Sequence, residues 1–154
     1  MLVESKLKEL GIVLPEPLKP LGLYVPAVKV DDWVYISGMV AKQNGEFKYK
    51  GKVGKDLTLE QGYESAKISG INALSALKSA IGDLDKVERV VKVVGYVNST
   101  PDFTQHPQVI NGASELFGKI FGDKGIAARC AVGVNGLPGD SPVEIDMVVK
   151  ISNR

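Results

Sequence analysis

The stretch from Thr58 to Gly82 constrains the fold more than any other part of the sequence. Thr58-Leu-Glu-Gln61 has the form of a capping box, in which the first and fourth side chains satisfy backbone N–H groups left unpaired at a helix start. Apolar residues then recur at helical spacing, at Leu59, Tyr63, Ala66, Ile71, Ala73, Leu74, Leu77 and Ile81, until Gly82 stops the run. A helix with one such face must bury it against another element. Val87 to Asn98, rich in β-branched residues, reads as a central strand, and Pro107 to Phe121 repeats the helical spacing with Val109, Ile110, Ala113, Leu116, Phe117 and Ile120.

Ahead of that helix, Leu23 to Val30 and Trp33 to Ser37 are β-branched and aromatic runs joined at Asp31-Asp32, a hairpin signal. A second turn at Asn44-Gly45 precedes a short strand expected at Phe47 to Tyr49. Leu2 to Leu10 reads as a short helix stopped at Gly11, and the loop holding Pro15, Pro17 and Pro20 cannot be regular structure. With two strand-like runs at the end, the order is β-β-(β)-α-β-α-β-β. This predicts an α+β two-layer fold, one mixed or antiparallel sheet with two helices on one face. A helix and arm over residues 1–20 lead into one domain over 21–154.

The two final runs contain one arginine and one glutamate among apolar residues. Strand alternation sorts Arg129, Ala131, Gly133 and Asn135 onto one face, against Val132 and Val134. In the second run, Val143, Ile145, Met147, Val149 and Ile151 oppose Glu144, Asp146 and Lys150. Leu137 to Ser141, with Pro138 and Gly139, reads as the connection of an antiparallel hairpin. That register sets Arg129 opposite roughly Val148 and leaves Glu144 about four residues, or ~13 Å, further along. An intrachain ion pair is the ordinary use of two such charges, but the offset disfavours it and favours a site to which two chains contribute. Two helices cover one sheet face only. The other, expected to carry Arg129, Ala131, Gly133 and Asn135, is either wetted by solvent or closed by another copy, and its small residues favour a homo-oligomer.

Composition excludes several classes. The 154 residues are 44% hydrophobic and 24% charged with net charge +1, which gives no argument for nucleic acid or an acidic partner. The N-terminus mixes charges among its apolar residues and no run approaches membrane-spanning length, so a cytoplasmic chain with no membrane partner is expected. A single cysteine allows no intrachain disulfide and no cysteine-based metal cluster. The basic stretch Lys48 to Lys55 reads as a solvated loop ahead of a phosphate site, and no Gly-rich loop joins a strand to a helix as nucleotide cradles require.

Several short motifs, in this order and spacing, resemble the reactive-intermediate deaminase family, also called RidA or YjgF and in places L-PSP endoribonuclease. They are Gly22-Leu-Tyr24-Val-Pro-Ala-Val, Val34-Tyr-Ile-Ser37-Gly38, Asp102-Phe with Asn111, Ala128-Arg129, and Leu137-Pro138 ahead of Val143-Glu144-Ile. The resemblance covers roughly Gly22 to the C-terminus. It implies a chorismate-mutase-like fold and a homotrimer with its sheets facing inward and three sites in the clefts between subunits. It also implies hydrolysis of 2-imino or enamine acids to 2-oxo acids and ammonia, with no cofactor and no metal. Arg129 would clamp the substrate carboxylate through a planar fork that lysine lacks, and Glu144 would orient the attacking water. Tyr24, Ser37, Gly38, Asn111 and Ala131 match family positions that line the pocket.

The chain also departs from that pattern. Ala131 stands where the family often has cysteine, and Cys130 is displaced by one onto the opposite face, where a small core residue is expected. The segment from Asp102 to Asn111 is about four residues longer than usual and holds the only histidine, His106, read as a loop or helix-start residue ahead of a ligand contact at a cleft rim. Two rival functions follow. A protein that binds small 2-oxo acids without turnover keeps the Arg129 clamp, whereas a ribonuclease of the acid–base type commonly needs paired histidines.

Overall fold

The computed structural model describes residues 2–153. Its elements are α1 (Leu2–Glu9), β1 (Ala27–Val30), β2 (Trp33–Val40), β3 (Lys42–Gln43), β4 (Glu46–Phe47), α2 (Leu59–Ile81), β5 (Val87–Asn98), α3 (His106–Phe121), β6 (Ala128–Val134) and β7 (Val143–Ile151). Five strands form one mixed sheet in the order β1-β2-β7-β5-β6, with α2 and α3 packed on one face. The α+β fold expected from the element order is therefore present. The strand expected at Phe47 to Tyr49 is instead Glu46–Phe47, paired with Lys42–Gln43 around the Asn44-Gly45 turn.

The helices form where the sequence places their signals. Thr58 Oγ1 accepts from the Gln61 N–H at 3.2 Å, and Gln61 Oε1 accepts from the Thr58 N–H at 2.9 Å. Leu74 and Leu77 of α2 and Ile110 and Phe117 of α3 are fully buried with Val90, Val93 and Val97 of β5 and Ile145 and Met147 of β7. Burial of each large side chain contributes about 1.5–3 kcal/mol. Gly95 on β5 lets α3 approach, because a Cβ there would overlap Ile110. At the N-terminus, α1 buries Val3 and Leu7, and the Asp85 carboxylate accepts from the Leu2 and Val3 N–H groups at 2.9 and 2.8 Å. These donors are otherwise orphaned at a helix start.

A buried polar stripe on α2 fixes what passes over it. Asn72 Nδ2 donates to the Val40 and Lys42 carbonyls at 2.9 and 2.8 Å, and the Ser75 hydroxyl donates to the Pro15 carbonyl. The end of β2 and the proline-rich arm are thereby tied to one helix.

The last two strands correct the expected hairpin. β5 lies between β6 and β7, parallel to β6 and antiparallel to β7, so the Pro138–Asp140 turn sits in a crossover. Pro-Gly chemistry serves a crossover as readily as a hairpin. Arg129 is level with Val93, and through it with Met147, instead of Val148. The faces reverse as well, because residues paired across neighbouring strands point to the same side. Arg129, Ala131 and Gly133 pair with Val93, Gly95 and Val97, on the helix-covered side. Asn135 lies beyond the strand, its carbonyl accepting from Lys52 Nζ at 2.6 Å. Cys130 is exposed on the other face with Val132, and is no core residue.

That other face carries exposed apolar side chains across its width, among them Val30, Tyr35 and Val132 at 53%, 50% and 39% exposure. Nothing within the described chain covers it. No helix among the described residues is long and apolar enough to cross a membrane.

Candidate functional site

The residues singled out from the sequence fall into two groups. Arg129 belongs to the first. As β6 lies at the sheet edge under α3, its side chain reaches that helix, and Nη1 donates to Asn111 Oδ1 at 2.7 Å and to Ser114 Oγ at 3.1 Å. Asn111 and Ser114 are three residues apart and so share a helix face. Among the described residues no carboxylate forms an ion pair with Arg129, and its other donors meet no protein acceptor. A guanidinium held by one nitrogen presents its other donors to a carboxylate in a fixed plane. Ala131, the next residue on that face, is half-buried against the core. His106 closes the row: it opens α3, lies against Gly133, and its Nε2 is 3.1 Å from Ser99 Oγ.

The second group is built on an irregularity in β2. Between Ile36 and Met39 the pairing with β7 slips by one residue, and the bulge holds Ser37 and Gly38. Bulges re-aim side chains at sites of this kind. Ser37 donates its hydroxyl to the Val25 carbonyl at 2.6 Å and its N–H to the Pro26 carbonyl at 2.9 Å, which anchors the segment carrying Tyr24. The Tyr24 hydroxyl accepts from the Leu21 N–H at 3.3 Å. Gly38 has a steric role, since a Cβ there would collide with the Glu144 carboxylate lying over it. Tyr24, Gly38, Met39 and Glu144, with Leu18 of the arm and Leu21 just after it, border a cavity of about 480 Å³.

Burial pushes the Glu144 carboxyl above its ordinary value, and the like charge of Asp146 adds to this. Asp146 accepts from the Tyr96 hydroxyl at 3.0 Å. No protein donor meets Glu144 among the described residues, so its oxygens are open to water or ligand. A carboxylate displaced toward neutrality suits proton transfer.

Arg129 and Asn111 are thus brought together, and so are Tyr24, Ser37, Gly38 and Glu144, but the two groups stand on opposite faces of the sheet. They do not meet within the chain, as expected, although the reason is strand order and facing instead of hairpin offset. Sequence reasoning missed Ser114, which helical spacing from Asn111 would have found. It also missed Leu18 and Leu21, whose place at the cavity depends on where the arm packs. Among the described residues no group of three or more His, Cys, Asp or Glu side chains is arranged to hold a metal ion.

Comparison with known proteins supplies the evolutionary setting. Residues 4–148 match the model of the family described as "YjgF/chorismate mutase-like, putative endoribonuclease". The matched span begins inside α1. "Protein TCP17" of Trypanosoma cruzi is 40% identical over 152 residues, covering 98% of this chain and 95% of that one. A crystal structure of a protein of unknown function from Agrobacterium tumefaciens superposes with a TM-score of 0.92 at 38% identity, over 98% of this chain and 93% of that one. A protein from Shewanella oneidensis described as a "putative endoribonuclease" gives 0.94 at 29% identity, over 98% and 100%.

Proposed function

The chain belongs to the YjgF/chorismate mutase-like family, and from that footing we propose that it hydrolyses reactive 2-imino acids to 2-oxo acids and ammonia at a site completed by two copies of the chain. The observation that carries the reading is the division of labour across the sheet. One group offers a guanidinium with free donors, and the other offers a half-buried carboxylate above a cavity. Each is half of what an imino acid needs. In a ring of copies joined through the exposed apolar sheet face, this reading puts the β6 edge that carries Arg129 of one copy against the Glu144 cavity of the next. A closed homotrimer is the assembly we favour.

In this reading Arg129 holds the substrate carboxylate by paired hydrogen bonds. Ionised Glu144 takes a proton from water as the water oxygen bonds to C2 of the protonated imine. The proton returns to nitrogen, the C–N bond breaks as Glu144 takes up the hydroxyl proton, and the 2-oxo acid leaves with ammonia, which carries that proton away as ammonium. A protonated imine is already strongly electrophilic, so positioning and one proton relay suffice.

The direct test couples an amino-acid oxidase to the protein and follows 2-oxo acid release with wild type, Arg129→Ala and Glu144→Ala. Equal rates in all three would sink the deaminase reading. Mixing the two inactive variants tests the shared site: random reassembly restores about a quarter of the sites if they lie between copies, and none if each copy is self-sufficient. A second reading, binding of 2-oxo acids without turnover, draws support from Ser37, whose hydroxyl is committed to the Val25 carbonyl. It predicts Arg129-dependent 2-oxo acid binding with no acceleration of imine hydrolysis. Ribonuclease activity would be revived by RNA cleavage that Arg129→Ala abolishes.

A further inference from the structure

We infer that the N-terminal arm makes the Glu144 cavity selective for substrates with an extended apolar side chain, an inference that rests on the imino-acid site proposed above. With the carboxylate held by Arg129 and C2 beside Glu144, the remaining substituent enters the space beyond Glu144. That space is bordered by Leu18 of the arm, Leu21 just after it, Pro26 and Pro138. At about 480 Å³ it lies within the range of roughly 300–1,000 Å³ usual for small-molecule sites, and it far exceeds the needs of a methyl group.

The wall is held in place. The Ser75 hydroxyl fixes the arm at the Pro15 carbonyl, Leu18 packs against the core, and the Leu21 N–H donates to the Tyr24 hydroxyl at 3.3 Å. On the far side, Asn72 anchors the Val40 and Lys42 carbonyls. A wall fixed before the ligand arrives costs little ordering entropy on binding, so its apolar contacts convert into discrimination. Apart from Glu144, the charged residues bordering the cavity are Lys19 and Lys42, and the Lys42 ammonium lies 5.5 Å from the centroid of the Phe47 ring. Lys42 thus has an aromatic partner. Recognition of a second carboxylate on the substrate by these lysines is the competing outcome.

The experiment titrates the full chain with the 2-oxo acids corresponding to alanine, leucine and glutamate, and repeats the series with the matching imino acids in the coupled assay. The leucine-derived compounds are expected to exceed the alanine-derived ones by at least about tenfold in affinity and in kcat/KM. Leu21→Asp, at a side chain 85% exposed and so tolerated by the fold, is expected to bring that ratio close to one. Equal affinity for the alanine and leucine compounds, tighter binding of the glutamate compound, or a ratio unmoved by Leu21→Asp would each overturn the inference. Graded 2-oxo acid binding without imine hydrolysis would remove the deaminase reading and leave the specificity standing. Absence of any Arg129-dependent binding would remove both.

Discussion

The row of Arg129, Ala131 and Gly133 under α3 and the cavity over Gly38 belong to one sheet, yet they treat charge in opposite ways. Arg129 is supported by Asn111 and Ser114, so its charge is stabilised where it stands. Glu144 is half-buried above a glycine, meets no donor among the described residues, and has Asp146 for a neighbour, so its charge is resisted. The pair could have neutralised each other, as opposite charges in a protein interior generally do. The placement of β5 between β6 and β7, and the opposite facing of the two side chains, prevent it. Keeping them apart leaves the cation needing an anion and the carboxylate needing a proton donor. Under the proposed function, an imino acid and its attacking water meet both demands.

The largest effect that could break this comparison is expected at Arg129. Hydrogen bonds to charged groups contribute about 1.5–3 kcal/mol each, so loss of a two-pronged contact should lower 2-oxo acid affinity and kcat/KM by roughly 10²–10⁴-fold. Arg129→Lys should recover only part of this, because an ammonium cannot present two donors in one plane while bonding to Asn111. If Arg129→Ala changes affinity by less than about twofold, that region is structural and the comparison fails. Glu144→Gln should cost about 10²–10⁴-fold in kcat, the usual worth of a positioned proton-transfer group, while leaving 2-oxo acid affinity nearly intact. A parallel loss of affinity would show that the carboxylate binds ligand and does not direct water.

The sequence made one of these regions easier to see than the other. Element order was legible because its signals are local: the capping box at Thr58 and Gln61, the positive φ of Asp31 at the first hairpin, and the apolar spacing of α3. Strand neighbours are not local, and turn residues at Pro138-Gly139 do not tell a crossover from a hairpin. The small residues Ala131 and Gly133 pointed to close approach by another chain. Close approach is indeed what they permit, but the neighbour is α3, with His106 against Gly133 just as Ile110 lies against Gly95. Alternation gave two faces for β6 without saying which one is covered. Exposed Cys130 and Val132 illustrate that apolar identity does not guarantee burial. The members of the Glu144 cavity contributed by β2 and β7 carried recognisable motifs, whereas Leu18 and Leu21 depend on how a proline-rich arm is tied down.

Intermediate effects should separate support from chemistry. Gly38→Ala drives a Cβ into the Glu144 carboxylate, and overpacking of this kind costs about 1–3 kcal/mol. At roughly 2–4 °C in Tm per kcal/mol for a chain this size, thermal unfolding should shift by several degrees. Turnover should fall with it while Arg129-dependent binding persists. Ser114→Ala removes one hydrogen bond to the charged guanidinium, worth about 1.5–3 kcal/mol, and should weaken 2-oxo acid binding by at most roughly 10–10²-fold with no change in the pH dependence of turnover.

The smallest effect is the most diagnostic, because it reads the resisted charge itself. The Glu144 carboxyl sits above its ordinary value of 4.5 in the folded chain, with burial as the main cause and Asp146 second. Between the unfolded and folded values, the folded state binds more protons, so its stability declines as pH rises through that window. The contribution from Glu144 is fully present below 4.5 and is lost as pH rises through the folded value. Glu144→Gln, neutral throughout, should therefore gain in Tm on wild type as pH rises from the acid range and then hold a constant lead. Asp85 supplies the opposite sign: N–H groups of Val3 and Leu2 hold its carboxyl below 3.8, so its contribution is present above that value and lost on acidification. Asp85→Asn should accordingly lose most at neutral pH and least in acid. If the Glu144→Gln lead is absent while the Asp85→Asn loss appears, the cavity carboxylate is solvated like any surface glutamate. Its charge would then be no more resisted than that of Arg129, and no proton-transfer role would follow from its surroundings.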